Sequence, residues 1–230
     1  MEILNGVFLV GGEDYRLSSG GNVYLVDAGK EMFLIDIGFT KDVKAILENI
    51  QMEGLNAREI STLFLTHCHG DHAEGAKKAK ELLKCKIYAH NYTAEHLDED
   101  IVDVKLTGEE KLIKDTVKIT PIYTPSHSQG SMCYQVRMKG KELLFTGDVV
   151  FFLSSHDPKQ MGGCPIENWL KNLKPSDATT YIKALNNLME KTHPDALLPG
   201  HGCLALKEGS LELSRSAKAM IAELTHLFQE

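Results

Sequence analysis

The chain lacks a long apolar run: no stretch approaches the roughly 18 consecutive apolar residues that a membrane span needs, so no membrane partner is expected. It also lacks a basic surplus. Lys and Arg number 25 against 32 Asp and Glu, a formal net charge of −7. That balance argues against a nucleic-acid partner, whose binding would rest on phosphate neutralisation. No basic-then-apolar leader opens the chain, which begins Met1-Glu2-Ile3-Leu4-Asn5-Gly6, so a cytoplasmic location is the expectation. Cys68, Cys85, Cys133, Cys164 and Cys203 are scattered, odd in number and form no C-x-x-C pair. A zinc ribbon, a dithiol redox motif and a disulfide framework are thereby excluded. Cys85, Cys133 and Cys203 are expected as buried free thiols. No repeat, low-complexity tract or linker divides the 230 residues, which suffice for a single domain spanning 1–230. What is abundant is histidine, with ten residues.

Periodicity supplies the scaffold. Apolar runs rich in β-branched residues at 7–10, 22–27 and 32–37 read as strands, the last two joined through Gly29 as a hairpin. Val43, Ile46, Leu47 and Ile50 repeat at helical spacing, and that helix ends near Gly54. A short buried strand is predicted at 61–66 and a helix at 73–83, with Ala76, Ala79 and Leu83 on one face. Ile87-Tyr88-Ala89 resembles a parallel strand. Strands resume at 116–122, 132–138 and 142–146; a helix at 175–191, a strand at 196–198 and a terminal helix complete the chain. Two halves, each strands followed by helices, suggest an α/β protein with two packed sheets and helices outside. Residues 154–165 show no periodicity, and long loops of this kind are often functional.

The chemistry concentrates after the strand at Leu63-Phe64-Leu65-Thr66. There the chain reads His67-Cys68-His69-Gly70-Asp71-His72, with a helix beginning immediately afterwards. Imidazole nitrogen and carboxylate oxygen are the donors that zinc, iron and manganese accept. Residues 67 and 69 can point the same way from an extended segment, while Asp71 and His72 point elsewhere and can serve a second ion. Three further residues stand at strand ends: His127 in Thr124-Pro125-Ser126-His127-Ser128, Asp148 in Phe145-Thr146-Gly147-Asp148, and His201 in Pro199-Gly200-His201-Gly202. Taken singly, each is as readily a turn residue, but loops at strand ends are where a rigid scaffold presents ligands.

The order T-H-x-H-x-D-H, T-P-x-H-S, F-T-G-D, P-G-H-G resembles the metallo-β-lactamase superfamily along most of the chain. The resemblance implies a four-layer αββα sandwich. It assigns His67, His69 and His127 to one metal, Asp71, His72 and His201 to another, and Asp148 to both as a bridge. Asp36, in Leu34-Ile35-Asp36, is implied as a structural anchor beside the site. The sequence departs from the family pattern at Glu74-Gly75, where two glycines are usual, and at Ser126, where a glycine is.

Two divalent ions about 3.5–4 Å apart lower the pKa of a shared water towards 7. The expectation is therefore a hydrolase for a small-molecule thioester, ester or lactone, its metal-bound hydroxide oriented by Asp148. Zinc is the expected ion, with iron or manganese the alternatives. Thioester hydrolases of the glyoxalase II type are similar through the first, third and fourth motifs. Only 28 residues follow Gly202 here, so their helical glutathione-binding domain is not expected. A pocket built largely from residues 154–165 and loops near the N-terminus is expected instead; His156, Lys159 and Met161 are candidate contacts there, though they read more readily as solvated loop residues. Iron persulfide dioxygenases, with one iron at residues matching His67, His127 and Asp148, are the alternative; a non-catalytic metal-binding module is the outside reading. His90, His96, His193 and His226 read as surface or capping histidines. Cys68 reads as a neighbour of the ligands, not one of them.

Overall fold

Alternation along the strands sorts the apolar side chains between three contact layers, because successive residues face opposite sides of a sheet. The computed structural model describes residues 1–12, 15, 18–151, 160–161, 164–165, 170, 173 and 175–228. The first sheet holds seven strands in chain order: β1 (Glu2–Leu4), β2 (Val7–Gly11), β3 (Val23–Asp27), β4 (Met32–Ile35), β5 (Ile60–Phe64), β6 (Lys86–His90) and β7 (Val104–Leu106). Its first four strands pair antiparallel, and β4 to β7 run parallel. The parallel strands need crossovers. The helix α1 (Val43–Met52) links β4 to β5, while α2 (Gly70–Ala73) and α3 (Ala76–Leu83) link β5 to β6. After β6 comes α4 (Asn91–Glu95).

The second sheet is built from β8 (Leu112–Lys114), β9 (Val117–Tyr123), β10 (Met132–Met138) and β11 (Lys141–Gly147). A short ribbon, β12 (Gln160–Met161) with β13 (Cys164–Pro165), precedes α5 (Pro175–Lys191). β14 (Ala196–Pro199) then joins the second sheet parallel to β11, and α6 (Gly209–Phe228) ends the chain.

In β3, Val23 and Leu25 face α1 and α3, while Tyr24 and Val26 face the second sheet. In β10, Tyr134 and Val136 meet the first sheet, and Cys133 faces α5 and α6. The inter-sheet layer is aromatic: Tyr24 meets Phe145 edge-on at 5.2 Å between ring centroids, and Phe64 lies 5.2 Å from Tyr134. The layers run helix, sheet, sheet, helix, in agreement with the four-layer αββα sandwich that the resemblance implied.

Six of these elements were not read from the sequence: β1, β7, β8, β12, β13 and α4. The strands have only two or three residues each and α4 five, too short for a periodic pattern to declare itself. The helix expected at 73–83 starts at Ala76, as α3, and a separate turn, α2, precedes it at 70–73. The Gly75 N–H donates to Gly38 O, while Asp71 O accepts from the Gly21 N–H, so the helical ladder breaks between them. Among the described residues no helix is long and apolar enough to cross a membrane. Cys85 and Cys133 are buried as expected, and burial pushes their thiols up to about 11 and about 12. Cys203 is exposed, which corrects the expectation of a buried thiol: it lies past the end of β14, in the irregular segment that follows the bend at 200–202.

Candidate metal centre

Strand ends from both sheets meet along one edge of the sandwich. β5 runs on through Leu65 and Thr66 to His67, β9 ends just before the His127 loop, β11 ends at Gly147 before Asp148, and β14 ends at Pro199 before His201. β9, β11 and β14 are mutually parallel, so their C-terminal ends share this edge. His69 is the N-cap residue of α2, and Asp71 and His72 lie in its single turn. That turn aims Asp71 and His72 away from the His67–His69 direction.

All seven residues singled out in the sequence are brought together. They form two groups whose donor atoms lie within 4.8 Å of one another: His67, His69 and His127 in one, Asp71, His72, Asp148 and His201 in the other. His69 Nδ1 lies 3.1 Å from His67 Nε2 and 2.9 Å from His127 Nε2. His201 Nε2 lies 3.2 Å from His72 Nε2 and 3.0 Å from Asp71 Oδ2. Two ligands on one tetrahedral zinc, each at about 2.0–2.1 Å, stand about 3.3 Å apart. An imidazole nitrogen offers one in-plane lone pair or one hydrogen, so His69 Nδ1 cannot hydrogen-bond well to both neighbours. A cation among the three nitrogens resolves that conflict.

Asp148 stands between the groups. Its Oδ2 is 3.9 Å from His67 Nε2, 3.5 Å from His127 Nε2 and 3.6 Å from His201 Nε2. Its buried Oδ1 has no hydrogen-bond partner among the described residues, although His72 Nε2 is 3.1 Å away and out of line for one. A buried carboxylate oxygen left in this way is costly unless a cation meets it. The donor set and this oxygen fit a pair of divalent ions.

Asp36 does more than anchor a loop. Its Oδ1 accepts from the Thr66 N–H, and its Oδ2 accepts from Thr66 Oγ1 and lies 2.8 Å from His72 Nδ1. Thr66 Oγ1, having donated its hydrogen to Asp36, accepts from His67 Nδ1 at 3.0 Å. One carboxylate therefore sets the tautomer of a histidine in each group, directly for His72 and through Thr66 for His67. In the neutral form of each ring, Nε2 is then the nitrogen that offers a lone pair towards the site. The sequence held a signal for this role, an acidic residue ending an apolar strand, but not its partners.

The groups differ electrically. Burial holds the His67 and His127 imidazoles below their usual pKa. Burial acts in the same sense on His72, but Asp148 and Asp36 overcome it and hold that imidazole well above the usual value. Burial likewise opposes charge on His201, where the hydrogen bond to Asp71 prevails and raises it. Burial would raise Asp148, yet the surrounding His72, His67 and His201 hold it well below the carboxylate range.

The metallo-beta-lactamase superfamily profile matches residues 18–201, which takes in every one of these positions. The chain belongs to the metallo-beta-lactamase superfamily. A hydroxyacylglutathione hydrolase of Bartonella henselae is 29% identical over 150 residues, covering 63% of this chain and 57% of that protein. A hydroxyacylglutathione hydrolase-like protein of Gallus gallus is 26% identical over 166 residues, covering 70% and 50%. The chain thus spans about half the length of the curated relatives it matches. A metallo-beta-lactamase from Cronobacter sakazakii superposes with a TM-score of 0.75 at 19% identity, covering 100% of this chain and 92% of that one. At that identity the likeness is one of fold.

Of the remaining expectations, Cys68 is half-buried and outside both superfamily donor groups, its Sγ 3.9 Å from Ser128 Oγ. The expected substrate wall at 154–165, with His156 and Lys159, lies outside the described residues apart from the ribbon backbone; of the Met161 side chain nothing is described. His90 caps α4 by accepting from the Tyr92 N–H, as a capping histidine should, and His193 and His226 are exposed. His96 is exposed too, but it also lines a cavity that opens on His69 and His127.

Proposed function

We propose that this protein hydrolyses a thioester, ester or lactone of a small molecule at a dinuclear metal centre. The observation that carries the reading is the convergence of seven donor residues in two adjoining groups, among them Asp148, whose buried Oδ1 accepts no hydrogen bond from the described residues. His67, His69 and His127 would hold one ion, and Asp71, His72 and His201 the other, with Asp148 shared. Zinc suits this set, and iron and manganese accept the same ligand types. Two divalent ions supply an activated water at neutral pH and an electrophile for a carbonyl oxygen.

The chain's own residues do the positioning. Asp148 reaches both groups, so its carboxylate orients the water that attacks. Asp36 and Thr66 keep His67 and His72 in the tautomer that offers Nε2 to an ion. His69 is exposed and borders the open cavity, which gives a substrate carbonyl access. The relatives named as hydroxyacylglutathione hydrolases support an acyl compound as substrate.

The test is metal quantification on protein purified without added metal, followed by a screen of thioesters, esters and lactones before and after chelation. Two divalent ions per chain and turnover lost to chelator and restored by metal are expected. One iron per chain with oxygen consumed on adding a persulfide would replace this reading with a dioxygenase. Full metal occupancy with no turnover of any acyl compound would leave a non-catalytic metal-binding module.

A further inference from the structure

A cavity of about 450 Å³ opens directly on His69 and His127, a volume typical of small-molecule sites. One wall is formed by α4 and the residue that follows it. The Tyr92 and His96 rings stack there with centroids 4.0 Å apart and planes inclined by 24°. Residues four apart stand one above the other on a helix, which brings the rings together. His96 Nδ1 lies 2.8 Å from the Tyr92 carbonyl oxygen. A carbonyl only accepts, so Nδ1 carries the hydrogen and the ring is tied to the backbone.

This wall is fixed relative to the metal donors. Buried Thr93 donates from Oγ1 to Gly130 O, and a Cβ on Gly130 would meet Thr93 Oγ1 at 2.6 Å. The loop carrying His127 therefore packs its backbone directly on α4. That loop is also closed on itself: the Ser128 N–H donates to Ser131 Oγ, and Tyr123 OH donates to Gln129 O. The aromatic wall and His127 thus form one rigid piece, the condition for selecting a substrate by shape.

We propose that this cavity is the recognition subsite of the enzyme and that Tyr92 and His96 select a flat aromatic group by stacking against it. The proposal rests on the hydrolase reading for its catalytic consequence, but not for binding. The aromatic group can belong to the acyl part or to the leaving group, and two substrates separate these: S-methyl thiobenzoate and S-phenyl thioacetate. Each is compared with S-methyl thioacetate, for wild type, Tyr92→Ala, His96→Ala and Tyr92→Phe.

Tyr92→Ala and His96→Ala are expected to lower the aromatic-to-aliphatic ratio of kcat/KM by roughly 3- to 10-fold for one of the two aromatic substrates. Tyr92→Phe, which keeps the ring, should retain the ratio. Metal content measured alongside separates a lost subsite from a lost metal centre. Binding is read independently by saturation-transfer NMR with benzamide, whose contact should disappear in Tyr92→Ala. An unchanged ratio together with unchanged benzamide contact overturns the subsite. Absence of turnover for every thioester, with Tyr92-dependent benzamide contact retained, overturns the hydrolase reading and leaves the subsite standing.

Discussion

The two donor groups of this superfamily site use the same side-chain chemistry in opposite electrical settings. One is made of three imidazoles, two of which burial keeps neutral. The other combines two imidazoles with the carboxylates of Asp71 and Asp148, which hold those imidazoles towards the protonated form. His67 and His127 are therefore already in the neutral state that binds an ion, and this group has no carboxylate of its own beside the shared Asp148. The second must release protons to bind, and its carboxylates offset the ion's charge. In the proposed hydrolase an ion at the first group would be the one placed to polarise a carbonyl, and an ion at the second would be held by more carboxylate charge. The aromatic cavity lies beside the first group, where the substrate would be met.

The largest expected effect removes what the groups share. Asp148→Ala should lose both ions together and reduce turnover by more than about a thousandfold, measured as metal per chain and kcat/KM. Full activity with unchanged metal content would show that no bridge exists. Next is Gly200→Ala. A Cβ there would clash with Asp148 Oδ1 and meet His72 Cε1 at 2.7 Å, so the second group should be displaced first. A roughly hundredfold fall in kcat is expected, with one ion retained.

Two milder substitutions divide the Asp36 network. Asp36→Asn turns a donor towards His72 Nδ1 and should weaken the second ion by about 10- to 100-fold. Thr66→Val cuts the relay to His67 and should weaken the first ion while sparing the second. Titration with cobalt, read by its absorption, follows the two ions separately; equal losses in both variants would erase the distinction between the groups.

Acid should separate the groups in the same order. His72 is held above its usual pKa in the metal-free protein, so binding there expels a proton and affinity rises with pH through that value. His67 and His127 are held below theirs and have no proton to lose near neutrality. As pH falls, the second ion should leave before the first, measured as metal per chain after dialysis at stepped pH. The smallest effect concerns the flanking thiols. Iodoacetamide at neutral pH should label exposed Cys203 fastest and half-buried Cys68 more slowly. Cys85 and Cys133, with thiols pushed to about 11 and about 12, should be spared in peptide mapping.

The elements legible in advance were those long enough to show a period. α1, α5 and α6, and the strands β2 to β6, β9 to β11 and β14, all have apolar faces that repeat along the chain. β1, β7 and β8 add only a few residues at sheet edges, where pairing with a neighbour decides the conformation and local pattern does not. The helix start at Ala76 instead of residue 73 was decided by hydrogen bonds from Gly21 and Gly75 that join distant segments. At the site, His67, His69, Asp71 and His72 were legible because a short span holds four donors in sequence. His127, Asp148 and His201 became legible only through the order of motifs that resembles the family.

Residue identity and order alone determined which atoms could bind metal, because imidazole and carboxylate are ligands wherever they stand. They also pointed to two packed sheets with helices outside, because continuous apolar strands such as 23–26 and 32–35 must be covered on both faces. Neither the −7 charge nor the ten histidines, however, said which histidines are neutral. That was decided by tertiary structure: burial around His67, and the placing of Asp36 and Asp148 against His72 from other strands. The same holds for Tyr92 and His96, ordinary residues of a short helix until Thr93 and Gly130 bring them beside His127. Electrostatic state and pocket shape depend on distances between residues far apart in the chain, and only folding sets those distances.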